Sequence, residues 1–147
     1  MIGALKALFE SNSEQPIEDR DRLMRLATAA LLVETARADF TEAAEEVAAL
    51  KAVLRDSLAL SAQDIDELVQ HATERVDEST SLYEFTRVIN DHYTPAEKLK
   101  VIDAMWAVAY ADGNIDKYEE HLIRKIAELT YVPHGDYVRS KLEAGKA

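Results

Sequence analysis

Apolar residues recur every three or four positions along nearly the whole chain, a spacing that restricts it to helices. Leu23, Leu26, Ala27, Ala30 and Leu31 form one stripe, and Val47, Leu50, Val53 and Leu54 another. Ile65, Leu68, Val69 and Ala72 form a third. Leu99, Ile102, Met105, Trp106 and Ala109 follow, then Leu122, Ile123, Ile126 and Leu129. No segment alternates convincingly as a strand would. With only 4 Gly and 3 Pro in 147 residues, the chain has few tight turns to spend on a sandwich or barrel.

Capping signals divide the stripes. Thr94-Pro95-Ala96-Glu97 places Thr at an N-cap, Pro at the first helical position and Glu where it can reach back to the cap amide. Asp116-Lys117-Tyr118-Glu119 repeats that logic, and Ser61 and Ser81 begin weaker versions. These signals predict helices near 2–10, 18–38, 42–57, 62–77, 82–92, 95–111, 117–130 and 134–143. Phe85 and Trp106 read as core, and Tyr83 does too.

Shifting the sequence by 73 positions lays its second half on its first. Thr35-Ala36-Arg37-Ala38-Asp39 meets Val108-Ala109-Tyr110-Ala111-Asp112; Glu46 meets Glu119, Leu50 meets Ile123, Val53 meets Ile126 and Leu58 meets Tyr131. The expected fold is therefore all-α: one domain over 1–147, a compact bundle of about seven to eight helices with pseudo-twofold internal duplication. Its halves run over roughly 18–77 and 82–143.

A net charge of −11 disfavours phosphate backbones and anionic lipid surfaces, so neither nucleic acid nor direct membrane insertion is expected. No stretch reaches the roughly 18 apolar residues of a membrane span. Met1–Phe9 reads as a short amphipathic helix, too short for a signal peptide, and the expected location is cytoplasmic. The absence of cysteine removes disulfides, thiolate metal sites and cysteine nucleophiles together.

The sharpest local signal is Asp112-Gly113-Asn114-Ile115-Asp116-Lys117-Tyr118-Glu119. Asp-Gly stops a helix, with Gly113 free to take a positive φ, and Asp116 caps the next one. The segment matches the second half of an EF-hand loop, but the first half fails because Val108 and Tyr110 stand where carboxylates are needed. Asp112, Asp116 and Glu119 still gather oxygens suited to a hard cation, Ca²⁺ or Mg²⁺. The joint Asp39-Phe40-Thr41-Glu42-Ala43-Ala44-Glu45-Glu46 offers Asp39 and Glu46 as a matching set. Two readings stand: a shared cation site, or acidic residues that serve only as helix caps.

Leu82-Tyr83-Glu84-Phe85, the run Trp106 through Gly113 with Glu119, and Leu32 through Asp39 resemble the TerB family, which is associated with tellurite resistance. The likeness covers roughly residues 20 through 140, and a more distant one reaches the helical domain of the DjlA co-chaperone. The resemblance implies a compact bundle with an acidic pole, linked to chemical stress and acting through protein partners or metal ions. A membrane-associated complex is among those partners. The family's acidic positions fall on Asp39, Glu46, Asp112, Asp116 and Glu119, with Phe40 replacing the glycine of the second copy.

Catalysis finds no support. His71, His92, His121 and His134 make no metal-ligand pair, although His121 lies beside Glu119 and Glu120. There is no Gly-x-Ser-x-Gly elbow and no glycine-rich phosphate loop. Lys98, Lys100, Arg124, Lys125, Arg139 and Lys141 segregate positive charge into the C-terminal half, a basis for a homodimer. The expected function is a non-catalytic binding or sensing module for a divalent cation or a basic protein. The alternative is a small-ligand carrier or enzyme with a pocket between the repeats.

Overall fold

Capping chemistry and loop residues set the helix boundaries. The structure, a computed structural model, describes residues 17–38, 44–78, 81–111, 113 and 115–146. These form seven helices and no strand: α1 (Ile17–Ala36), α2 (Ala44–Leu58), α3 (Ala62–Glu78), α4 (Tyr83–His92), α5 (Pro95–Ala109), α6 (Lys117–Leu129) and α7 (His134–Lys146). The helix expected near 2–10 lies outside the described residues. No described helix is long and apolar enough to cross a membrane.

At α5 the full capping box forms: Thr94 Oγ1 accepts the Glu97 amide at 3.2 Å, and Glu97 Oε1 accepts the Thr94 amide at 2.9 Å. Ser61 Oγ accepts the Asp64 amide at 3.1 Å, as its spacing predicts. Ser81 does not cap α4. Leu82 occupies the N-cap, Ser81 Oγ takes the Tyr83 amide at 3.4 Å, and Glu84 pairs with Arg75 across to α3. Helices expected to run to 38 and 111 stop at Ala36 and Ala109, because the chain tightens there into three-residue turns. In those turns the amides of Ala38 and Ala111 donate to the carbonyls of Thr35 and Val108.

α1 and α5 form the centre. α1 packs against α2, α3, α4, α5 and α6, while α5 also takes α2, α6 and α7. Ala29 through Val33 are five consecutive buried residues, so the middle of α1 is enclosed on all sides and is not a one-sided stripe. Its small alanines let neighbouring helices approach closely. Phe85 and Trp106 are buried as expected, but Tyr83 is 65% exposed. It is the first residue of α4, and its ring projects outward while Phe85, two positions on, turns inward.

Polar ties hold the periphery. Tyr93, after α4, donates its hydroxyl to the Met24 carbonyl at 2.6 Å and also meets the Thr28 hydroxyl. Burial pushes its phenol up to about 12. Asn90 donates to the Leu129 carbonyl at 2.9 Å, joining α4 to the end of α6.

Among the described residues two non-glycine residues occupy the left-handed region, Ala59 (φ 53°) and Tyr131 (φ 62°). Each lies just past a helix: the Ala59 amide closes on the Arg55 carbonyl, and the Tyr131 and Val132 amides close on Glu128 and Ala127. A side chain there is strained against its own backbone. Ala59→Gly should stabilise the fold by about 0.5–1 kcal/mol once the glycine's extra unfolded-state freedom is deducted. A higher melting temperature is the expected reading, and a lower one would contradict the strain.

Candidate functional site

α6 begins at the sharpest acidic signal of the sequence. Asp116, in extended backbone, is its N-cap: its carboxylate accepts the Tyr118 amide at 2.6 Å, and Glu119 Oε1 accepts the Asp116 amide at 3.3 Å. Gly113 has φ 88°, and its amide donates to the Tyr110 carbonyl at 2.9 Å, so the helix stop expected at Asp-Gly is present. A Cβ at Gly113 would meet nothing within 4 Å, so any penalty for a larger residue comes from the backbone alone. Gly113→Val should therefore destabilise by about 1–2 kcal/mol in thermal or urea unfolding. An unchanged melting curve would contradict the left-handed turn.

Glu119 is 1% exposed and Glu46 is 0% exposed. Both stand at the third position of their helices, which begin at Lys117 and Ala44. Glu97 does the same capping work at α5 while only half-buried. Capping therefore requires no such burial, and a fully enclosed carboxylate is expensive unless something compensates its charge. Glu45, beside Glu46, is exposed, so helix phase alone decides which of the two turns inward.

Of the five acidic positions, Glu46, Asp116 and Glu119 are described, whereas Asp39 and Asp112 lie outside the described residues. Among the described residues no group of three or more His, Asp or Glu side chains stands close enough to hold a metal ion. The donors present are carboxylates, the type a hard cation prefers, so the chemistry fits Ca²⁺ or Mg²⁺ while the described set is incomplete. His121 is exposed, as are His71 and His134.

Comparison with known families bears on the same stretch. The family model for tellurite resistance protein TerB matches residues 25–142, well over half the chain. The chain belongs to the TerB family. The match runs from within α1 to within α7 and takes in both helix starts at which the buried glutamates stand. Neither the curated proteins nor the solved structures yielded a match. TerB membership associates the chain with tellurite resistance.

One concave feature was not evident from the sequence. A cleft of about 410 Å³ lies between α5 and α7, lined by Asp103, Ala107, Tyr110, Ser140, Glu143 and Ala144. All six residues belong to the C-terminal half, so this cleft is not the expected pocket between repeats. Its signal was a pair of helical faces, i, i+4, i+7 on one and i, i+3, i+4 on the other, which only packing brings together.

Proposed function

We propose that this TerB-family chain is a non-catalytic binding module of a tellurite or chemical stress response. Its acidic pole takes a hard divalent cation, Ca²⁺ or Mg²⁺, and in that state meets a protein partner. The observation that carries the reading is the burial of Glu46 and Glu119 at equivalent positions of two helix starts. The enclosed carboxylates of Glu46 and Glu119 are oxygen donors of the kind a hard cation takes. The acidic positions Asp39, Asp112 and Asp116 of the sequence pattern would complete the oxygen set.

A shared pole would follow from an internal duplication, for which a recurring offset along the chain speaks. α1 and α5 end 73 residues apart, at Ala36 and Ala109, and α2 and α6 begin 73 residues apart, at Ala44 and Lys117. The buried pairs Leu32 and Met105, Val33 and Trp106, Glu46 and Glu119, and Leu50 and Ile123 keep that offset. It then drops to 72. The left-handed residues Ala59 and Tyr131 correspond, as do the starts of α3 and α7 at Ala62 and His134. Under a duplication, Tyr131 would answer to Ala59 rather than to Leu58, with one residue fewer in the second copy.

Isothermal titration of the full chain with Ca²⁺ and with Mg²⁺ tests the proposal. Saturable heat that disappears in Asp112→Asn supports it. Absence of heat with either ion removes the cation and leaves a basic protein surface as the occupant of the pole.

A further inference from the structure

Away from the acidic helix starts, the cleft between α5 and α7 has its own chemistry. Ala107 and Ala144 truncate the two facing helices, which leaves an open floor where longer side chains would have packed. Tyr110 closes one end. Its ring lies against Gly145, where even a methyl group would come within 3.3 Å of the phenol oxygen. Asp103 and Glu143 stand on opposite walls. The Ser140 hydroxyl, on a residue only 5% exposed, donates to the Asp103 carboxylate and fixes its position.

Neither carboxylate has an ion-pair partner among the described residues. The basic residues that flank Ser140 are committed elsewhere: Arg139 pairs with Asp136 at 3.1 Å, and Lys141 with Glu120 at 2.6 Å. A volume of about 410 Å³ is at the lower end of small-molecule sites, about 300–1,000 Å³. The lining is wrong for a bare metal ion. Two carboxylates and two hydroxyls around alanine methyls fall short of the roughly 6–8 oxygens Ca²⁺ takes, and Mg²⁺ needs a tighter shell than an open cleft offers. An anion would face two negative charges.

We propose that this cleft binds a small organic cation of the alkyldiamine class. One ammonium end donates to Asp103 and the other to Glu143, while the methylene chain covers Ala107 and Ala144. The Tyr110 ring supplies a face on which an ammonium is also favoured.

Trp106, the chain's one tryptophan, lies 6.0 Å from the Tyr110 ring and so reports on the cleft by fluorescence. The full chain is titrated with 1,5-diaminopentane at low ionic strength, following tryptophan emission and backbone amide NMR shifts. Pentane-1,5-diol serves as the uncharged control and MgCl₂ as the metal arm. The expected result is saturable binding with shifts at Ala107, Tyr110 and Ala144 and no response to the diol. Asp103→Asn combined with Glu143→Gln should weaken binding about tenfold or more. Ala107→Leu, a change at an exposed position, should block it by filling the floor. Absence of amide shifts in the cleft at millimolar diamine would overturn the proposal. So would equal binding by the variants, an equal response to the diol, or Mg²⁺ producing the same shifts.

Discussion

Trp106→Ala is expected to lower the stability of the chain by about 3–5 kcal/mol, the range found when a large buried aromatic is truncated. Trp106 is fully buried, with the Tyr137 ring 5.6 Å and the Tyr110 ring 6.0 Å from its own. The Lys141 ammonium lies 5.9 Å from the indole, held there by Glu120. Removing the indole empties the junction of α5 and α7 and takes away the surface on which both tyrosines rest. For a chain of this size the midpoint of thermal unfolding should fall by about 10 °C. Trp106→Phe should cost clearly less, because the buried indole N–H has no acceptor among the described residues and its removal forfeits no hydrogen bond. Equal losses in both variants would contradict the account, since phenylalanine keeps most of the ring packing that alanine gives up.

That junction also shows where sequence and structure part. The caps at Thr94, Asp116 and Ser61 were legible because each uses a side-chain oxygen at a fixed spacing from the amide it accepts, a strictly local matter. The enclosure of α1 was not. Ala27, Ala30 and Leu31 fit a single stripe, and only the placing of neighbouring helices on every side buries Ala29, Leu32 and Val33 as well. Tyr131 gave no sign of its left-handed backbone, since glycine or asparagine is the usual occupant of such a position. Tyr83 looked apolar enough for the core but starts its helix on the outward side.

At the candidate site, the five acidic positions were legible as a pattern, while the distinction between exposed Glu45 and buried Glu46 required the helix phase. The α5–α7 cleft was hidden because its residues look like two ordinary half-polar faces until the helices are laid side by side.

Glu119 permits a separation of capping from cation binding. A glutamine at that position still presents an oxygen to the Asp116 amide, so Glu119→Gln preserves the capping box while removing one carboxylate from the pole. If the carboxylate serves a cation, the ion-free variant should be as stable as the native chain or more so, because a buried negative charge has gone. Glu119→Ala removes both roles and should destabilise by about 1 kcal/mol or more whether or not an ion is present. A ligand that binds only the folded state at 100 times its dissociation constant adds about 2.7 kcal/mol, which for this chain corresponds to roughly 5–10 °C.

The decisive measurement is the melting temperature of the native chain and of Glu119→Gln, each with and without millimolar Ca²⁺ or Mg²⁺. The acidic-pole account predicts a rise of several degrees in the native chain and little or none in Glu119→Gln. A native chain indifferent to both ions, or a Glu119→Gln variant that responds as the native chain does, would contradict it.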